Sequence, residues 1–214
     1  MNRDIAEIRR DYQLASLDEA TSMEHPMDQF TIWWNDAVES NIDEVNAFIL
    51  STVKANGTPA SRVVLLKGYT PEGFMFFTNY ASAKGQDIEL HPHVAMNFFW
   101  KELERQVRID GRIEKIHPSE SDAYFQSRPA GSRIGAWSSP QSTVIADRSI
   151  IENNYVHFEQ AFGENYIPRP SHWGGYVVKP TSMEFWQGRS SRMHDRIHYK
   201  LNDNHSWTLE RLAP

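Results

Sequence analysis

The chain has 214 residues, with 22 basic and 28 acidic side chains and no cysteine. Its length suits one large domain or two small ones, and it can bury a core without covalent staples. The absence of cysteine excludes disulfides, thiol nucleophiles and thiolate metal sites, and it favours a reducing, cytoplasmic compartment. The net charge of −6 opposes general attraction to nucleic acid or anionic lipid. No apolar run approaches the roughly 20 residues that a membrane helix needs. We therefore expect a soluble protein that binds anions through local clusters of cations.

The first part of the chain is predicted to be helical. The charged segment Asp4–Ala15 predicts a short helix, and residues 1–20 are interpreted as a separate N-terminal segment. Pro26 then begins a stretch in which apolar residues from Phe30 to Val38 recur at the spacing of an amphipathic helix. No repeat or long linker follows, so residues 21–214 are predicted to form a single domain.

The remainder of the chain is dominated by strand patterns. Asn56-Gly57 predicts a tight hairpin between the first two strands. Strands are predicted at Ala47–Val53, Ser61–Lys67, Phe74–Thr78, Val94–Trp100, Gln106–Ile116, Gly175–Lys179, Met183–Trp186, Arg192–Tyr199 and Trp207–Leu212. Helices are predicted at Ser82–Leu90, Ser119–Ser127 and Asp147–Phe162. Many short strands with few helices favour a mainly β fold, an antiparallel barrel with peripheral helices, over a parallel α/β sheet.

Common catalytic motifs are missing from the sequence. It contains no GxGxxG, GxxxxGK[ST], HExxH or GxSxG pattern. No carboxylate motif completes either of the histidine pairs His91/His93 and His194/His198 as a metal site. Along a strand, the second pair would be about 13 Å apart. We therefore predict no metal site.

Arg62 and Lys67 flank the apolar run Val63–Leu66, which predicts a strand buried on both faces. Residues five apart lie on opposite faces of a strand, and a buried cation requires an anion or another hydrogen-bonded partner. One interpretation is that these cations bind a ligand. The alternative is that both are strand-end charges paired with carboxylates.

A second cluster consists of Tyr124, Arg128 and Ser132. Tyr124 and Arg128 share a helical face, and Pro129 must end that helix near Arg128, which turns the chain so that Ser132 can approach. A phenol, a guanidinium and a hydroxyl are suitable donors to a phosphate. The alternative is a surface helix with an aromatic–arginine contact.

Further candidates for anion binding lie elsewhere in the chain. Lys84 falls in the first turn of a helix that Ser82 could cap, where free N–H groups suit a phosphate. If Arg192–Tyr199 is a strand, then Arg192, His194 and Arg196 share one of its faces. Gln141 and Ser142 follow a stretch rich in glycine, serine and proline and offer amide and hydroxyl contacts. Trp186 precedes the segment that contains Arg192.

The ordered set of motifs resembles the pyridoxamine/pyridoxine 5′-phosphate oxidase family, a group of flavin enzymes. The resemblance spans residues 9 to 214 and is carried by Arg9–Tyr12, Arg62–Lys67, Phe76–Asn79, Glu104–Gln106, Tyr124–Pro129, Ile134–Trp137, Gln141–Ser142, Trp173–Gly175, Glu184–Gly188, Arg192–Arg196 and Arg211–Pro214. It implies a split β-barrel homodimer with an FMN at each of two sites formed between the subunits.

The resemblance also implies roles for individual residues. FMN would be held by Arg62, Val63, Val64, Leu65, Leu66, Lys67, Phe77, Thr78, Lys84, Gln106, Gln141, Ser142, Trp186 and Arg196. Substrate would be bound by Arg9, Arg10, Asp11, Tyr12, Lys67, Tyr124, Arg128, Ser132, Arg192, Met193 and His194, of which Arg192 and His194 would be catalytic and residues 9–12 would form a lid.

The implied reaction is oxidation of the C4′ amine of pyridoxamine 5′-phosphate, or the C4′ alcohol of pyridoxine 5′-phosphate, to the aldehyde of pyridoxal 5′-phosphate. A hydride would pass to flavin N5, and O₂ would then reoxidise the flavin and yield H₂O₂. The cofactor carries the redox chemistry, and the protein supplies orientation and charge.

The sequence departs from the family pattern at two positions. Ala83 precedes Lys84 where the family usually has arginine, and Phe77 precedes Thr78 where it usually has tyrosine. One charge and one hydroxyl near FMN are therefore missing. The alternative functions are a non-catalytic barrel that binds FMN or pyridoxal phosphate, and a flavin reductase that uses a nicotinamide cofactor. The Arg192/His194 pair favours the oxidase over storage, and the Tyr124 cluster favours it over the reductase.

Overall fold

The computed structural model describes residues 5–8, 10–163 and 165–214, and this part of the chain forms five α-helices and nine β-strands. The helices are α1 (Pro26–Glu39), α2 (Ala83–Leu90), α3 (Pro118–Ser127), α4 (Ala130–Ser138) and α5 (Ser149–Phe162). The strands are β1 (Ala47–Val53), β2 (Pro59–Leu65), β3 (Gly68–Thr70), β4 (Gly73–Asn79), β5 (His93–Trp100), β6 (Arg105–Lys115), β7 (Trp173–Gln187), β8 (Asp195–Leu201) and β9 (Trp207–Arg211). None of the helices in these residues has the length and apolarity required to span a bilayer.

The strands form one sheet in the order β2-β1-β5-β6-β7-β4-β3, with β8 paired to β7 and β9 paired to β8. Phe77 of β4 lies opposite Gly175 of β7 in an antiparallel register. Further along β7, Trp186 lies opposite Arg196 of β8, also antiparallel. Strand β2 stands at one end of the sheet order, so one of its edges carries backbone N–H and C=O groups without a strand partner among the described residues.

The chain divides into two compact units. The first unit comprises Met1–Leu50, Ala95–Gly111 and Pro180–Pro214, and the second comprises Ser51–Val94 and Arg112–Lys179. In the first unit, Phe30 of α1 packs edge-on against Phe98, with ring centroids 5.5 Å apart. In the second unit, buried Phe125 and Trp173 belong to a core on which α3, α4 and α5 pack. The single domain predicted over residues 21–214 stays a prediction.

Local signals explain the best-predicted elements. The turn between β1 and β2 has Gly57 at φ 81°, and the side chain of Asn56 accepts the N–H of Thr58 at 3.1 Å. Glycine meets this left-handed conformation without steric cost. Helix α1 begins at Pro26, and Nδ1 of His25 accepts the N–H of Met27 at 3.2 Å. The predicted hairpin and the predicted amphipathic helix are both confirmed.

Several predictions of secondary structure were wrong. Within Asp4–Ala15, the described residues contain a single 3₁₀ turn at Ile5–Glu7 in place of a helix, because the segment has few apolar residues to bury. The two strands predicted around residue 180 are one strand, β7, that runs through Pro180. Helix α4 and strand β3 were not predicted; two glycines within α4 weaken its helical pattern.

Two strand predictions bear on function. The strand predicted from Arg192 begins at Asp195, because Ser191 and Arg192 have φ values of 57° and 63° and form a turn. Consequently Arg192, His194 and Arg196 do not share one strand face. Strand β2 is not buried on both faces as predicted: it ends at Leu65, before Lys67, and Val63 is 67% exposed in this edge strand.

Candidate functional site

The second unit contains an open cleft of about 550 Å³. Most of the candidate binding residues that belong to this unit line the cleft. The edge strand β2, the end of β4, the start of α2 and the α3–α4 junction contribute its walls. The predicted residues that line it are Val63, Val64, Leu65, Lys67, Phe77, Thr78, Lys84, Tyr124, Arg128, Ser132 and Gln141. Asn79, Pro129 and Trp173 line it as well and were not assigned a role from the sequence.

One group of donors in this cleft surrounds Lys84. Its Nζ donates to Oε1 of Gln141 at 2.8 Å, to Oγ1 of Thr78 at 3.1 Å and to Oγ of Ser82 at 3.2 Å. All three acceptors are neutral, and no carboxylate pairs with this lysine among the described residues. Burial, and then the charge of Arg62, lowers the pKa of Lys84. A bound anion would relieve both effects, so the donor set fits a phosphate such as that of the expected FMN.

Arg62 lies outside the cleft lining and is held by two side chains. Its Nη1 donates to Oγ1 of Thr52 at 2.8 Å, and its Nη2 lies 3.7 Å from Asp87. Thr52 in turn donates to the buried carboxylate of Asp87 at 2.7 Å. Arg62 is thus paired with a carboxylate, as the alternative interpretation expected, although it lies in the middle of β2. Its assignment to FMN stays a prediction. Lys67 is exposed and lines the cleft.

Three nearly parallel aromatic rings, those of Phe77, Tyr124 and Trp173, line the same cleft. Phe77 stacks on Tyr124 with ring centroids 3.8 Å apart, and on Trp173 at 5.6 Å. Gly175, opposite Phe77 in the sheet, is required here because a Cβ at this position would lie 2.7 Å from the Phe77 ring. The ring of Phe77 therefore packs against Tyr124. This contact does not need the hydroxyl of the tyrosine that the family usually has at this position.

The second donor group is at the break between α3 and α4. Helix α3 ends at Ser127, Arg128 is extended (φ −76°, ψ 149°), and α4 begins directly after Pro129. The Arg128 guanidinium lies over the Trp173 ring at 4.6 Å, and its Nη1 is buried without a hydrogen-bond partner among the described residues. Burial lowers the pKa of Arg128, partly offset by Tyr124. An unpaired buried donor in a cleft that also contains Ser132 indicates an anion site.

The remaining candidates in the second unit do not line this cleft. Leu66 is buried. Ser142 is exposed, with a left-handed backbone (φ 70°), and follows Gln141 directly. The helix break predicted at Pro129 allows Tyr124, Arg128 and Ser132 to line one cleft. Asn79 was part of the Phe76–Asn79 motif but was given no role from the sequence.

In the first unit, a cleft of about 580 Å³ gathers a different set of candidates. Its predicted members are Arg10, Asp11, Tyr12, Arg192 and His194, and it also contains Ile8, Arg189 and Ser191, which the sequence did not single out. Met193 is 68% exposed and lines an adjoining cleft with Tyr12. Arg9 lies outside the described residues.

Three aromatic side chains pack together at this cleft. Trp186 and His194 have ring centroids 4.6 Å apart, and Tyr12 lies edge-on to both, at 5.8 and 6.0 Å. Nδ1 of His194 accepts the backbone N–H of Arg189 at 3.1 Å. A neutral His194 therefore carries its proton on Nε2, which leaves that atom as a donor.

Arg196 and Gln106 are the other predicted residues of the first unit. Arg196 forms a two-pronged ion pair with the buried Glu184, at 2.8 and 3.1 Å, and its Nη1 donates to the carbonyl of Ala213 at 2.8 Å. The hydrogen bonds that Arg196 donates to Glu184 raise the pKa of Arg196. Gln106 is half-buried near the start of β6. No group of three or more metal-binding side chains was found among the described residues.

Comparison with known proteins gives a consistent result. The family model described as pyridoxamine 5′-phosphate oxidase matches residues 34–161, and that of the pyridoxine 5′-phosphate oxidase C-terminal dimerisation region matches residues 173–214. A pyridoxine/pyridoxamine 5′-phosphate oxidase from Synechocystis is 50% identical over 210 residues, which cover 98% of both chains.

Solved structures agree on the fold. PhzG from Burkholderia lata, in complex with tetrahydrophenazine-1-carboxylic acid, superposes with a TM-score of 0.88 at 24% identity, over 96% of this chain and 100% of its own. A pyridoxamine 5′-phosphate oxidase-related, FMN binding protein from Nostoc punctiforme has a TM-score of 0.68 at 19% identity, over 84% and 94%. The predicted fold, a split antiparallel β-barrel with peripheral helices, is confirmed. With half of its residues identical to a full-length relative, the chain belongs to the pyridoxamine 5′-phosphate oxidase family.

Proposed function

We propose that the protein oxidises pyridoxamine 5′-phosphate and pyridoxine 5′-phosphate to pyridoxal 5′-phosphate with FMN as its cofactor. FMN would supply the acceptor for the hydride that leaves C4′ of the substrate, and O₂ would restore the oxidised cofactor with release of H₂O₂. The observation that carries this proposal is the presence of two separate groups of phosphate donors, at Lys84 and at Arg128, in one cleft. A flavin phosphate and a substrate phosphate each require such a group.

The Lys84 group and the edge of β2 are assigned to FMN. Lys84 already faces only neutral oxygens, and Ser82 caps the N-terminus of α2, where N–H groups favour an anion. The free edge of β2 presents backbone donors and acceptors that suit the polar rim of a planar ring. This assignment follows the family motif at Val63, Val64 and Leu65.

The Arg128 group is assigned to the phosphate of the substrate. Arg128 is half-buried and offers a buried, unused donor at Nη1, and Tyr124, Ser132 and Lys67 supply further donors from the same cleft. The ring stack of Phe77, Tyr124 and Trp173 keeps these groups in place. Charge-assisted bonds to a phosphate are about twice as strong as neutral ones, so this group selects phosphorylated vitamers.

The Arg192/His194 cleft is assigned to the pyridine end of the substrate. Nε2 of His194 can donate to an oxygen or nitrogen at C4′, and Arg192 lines the same cleft with its guanidinium. The active species is a homodimer in which each site takes residues from both copies. The match of residues 173–214 to a dimerisation region supports the dimer.

The function is tested by adding pyridoxamine 5′-phosphate to the FMN-loaded protein and following aldehyde and peroxide. We expect both products in equal amounts, together with loss of flavin absorbance when O₂ is excluded. A protein that binds FMN but never reduces it with either phosphorylated vitamer would be a binding protein. Reduction by a nicotinamide cofactor alone would identify a flavin reductase.

The exposed Ala83 leads to a prediction about cofactor affinity. Ala83→Arg adds a cation to the first turn of α2, beside Lys84, and should tighten FMN binding several-fold to about tenfold. The gain should shrink as salt rises, because the added attraction is electrostatic. Fluorescence titration of the apo-protein at low and high salt measures both effects. Gln86→Arg, a matched charge at an exposed position one turn further along α2, is the control and should have a smaller effect.

A further inference from the structure

Glu104 is a buried carboxylate that the proposed reaction does not use. Its side chain is 2% exposed, and its backbone has a left-handed conformation (φ 55°) between a 3₁₀ turn and β6. A non-glycine residue in this conformation carries strain that the surrounding structure must support. A carboxylate this deeply buried also requires donors, because burial of an unpaired charge is costly.

All hydrogen-bond and ion-pair partners of this carboxylate in the described chain come from residues 10–14. Oε2 accepts the backbone N–H groups of Gln13 at 2.9 Å and Leu14 at 3.1 Å. Oε1 lies 3.5 Å from the guanidinium of Arg10. If residues 10–14 moved away, Glu104 would lose every one of these partners, so the carboxylate favours the seated position of the segment.

The backbone of Glu104 is bonded to the end of β7, next to the residues that lead to His194. Its carbonyl accepts the N–H of Gly188 at 2.7 Å. Gly188 in turn packs against Tyr12, since a Cβ at this position would lie 2.7 Å from Cγ of that ring. One residue thus joins the segment that carries Tyr12 to the turn that leads to His194.

We propose that Glu104 is a positioning residue that seats residues 10–14 and thereby holds Tyr12 against Trp186 and His194. The effect on substrate binding rests on the proposed function, whereas the seating of the segment does not. Asp195 accepts the N–H of Leu17 at 3.1 Å and so binds the chain just after residues 10–14. Asp195 also binds Arg189 and Arg211, so Glu104 is the more selective position for a test.

The test compares Glu104→Gln with the matched control Asp36→Asn. Asp36 pairs with Arg105, the neighbour of Glu104, and forms no hydrogen bond or ion pair with residues 10–14 in the described part of the chain. We expect the amides of Gln13 and Leu14 to exchange hydrogen about tenfold faster in Glu104→Gln and at the normal rate in Asp36→Asn. Normal protection of both amides in Glu104→Gln would overturn the proposal whatever the activity of the protein.

Kinetics provide the second measurement. Glu104→Gln should raise the KM for pyridoxamine 5′-phosphate about tenfold with a smaller change in kcat, because ground-state binding is lost. In a Tyr12→Ala background the same substitution should add little, since both act through the placement of one ring. Full additivity of the two changes would contradict positioning through Tyr12.

A variant on the segment side protects the test against misfolding. Gln13→Pro removes one N–H donor at an exposed position and leaves Glu104 intact. It should reproduce the faster exchange at Leu14 and the rise in KM. Normal exchange at Leu14 in this variant would count against the proposal. If the unmodified protein had no oxidase activity but the variants still showed faster amide exchange at Leu14, the proposed function would be overturned and the positioning role of Glu104 would remain.

Discussion

Arg128→Met is expected to raise the KM for pyridoxamine 5′-phosphate ten- to a hundredfold, with a smaller change in kcat. The guanidinium lies over the ring of Trp173, and its buried Nη1 has no hydrogen-bond partner among the described residues. A charge-assisted hydrogen bond contributes about 1.5–3 kcal/mol, which corresponds to roughly ten- to a hundredfold in affinity. Loss of binding that is equal in the ground and transition states appears in KM.

Steady-state kinetics with pyridoxamine 5′-phosphate and with unphosphorylated pyridoxamine measure this effect. The variant should lose most of its preference for the phosphorylated substrate, since only that substrate uses the donor. Arg133→Met is the matched control, because Arg133 lies on α4, donates to Gln126 and does not line the cleft. Equal losses in the two variants, or an unchanged phosphate preference in Arg128→Met, would remove Arg128 from the phosphate site.

The Arg128 cluster could be predicted because its geometry is local. Tyr124, Arg128 and Ser132 lie within nine residues, and the constraint that Pro129 places on its predecessor determines where α3 ends. The structure brings all three to one cleft. The hairpin at Asn56-Gly57 was predictable for the same reason: its backbone conformation follows from the two residue types at the turn.

Contacts between distant parts of the chain were not predictable. The carboxylate of Asp87 reaches Thr52 across 35 residues and also pairs with Arg62, and nothing in the strand pattern of β2 indicates which acid is chosen. The turn at Ser191 and Arg192 has two successive positive φ values. Non-glycine residues rarely adopt this conformation, so the residue types at these positions favoured a continuous strand in the sequence prediction. Tertiary contacts at the site override that local preference.

Because β8 begins at Asp195, the proposed catalytic pair of Arg192 and His194 is positioned differently from the sequence prediction. Had both residues projected from one strand face, they would have been fixed by the sheet itself. Instead, Arg192 lies in a left-handed turn, and His194 is oriented by the N–H of Arg189 and by contact with Trp186 and Tyr12. Both residues therefore lie in the loop before β8, outside the ladder between β7 and β8.

Arg192→Ala and His194→Ala should each slow reduction of bound FMN by pyridoxamine 5′-phosphate about a hundredfold. Misplacement of a reacting atom by about 1 Å can cost this much, and both residues are proposed to orient C4′. Anaerobic single-turnover bleaching of the flavin separates this step from binding and reoxidation. The FMN dissociation constant should change far less, because the phosphate donors around Lys84 remain intact.

His205→Ala, at an exposed turn before β9, is the control for loss of a histidine and should reduce flavin at the normal rate. Normal bleaching rates in both cleft variants would exclude Arg192 and His194 from catalysis, and weakened FMN binding without slower bleaching would reassign them to the cofactor.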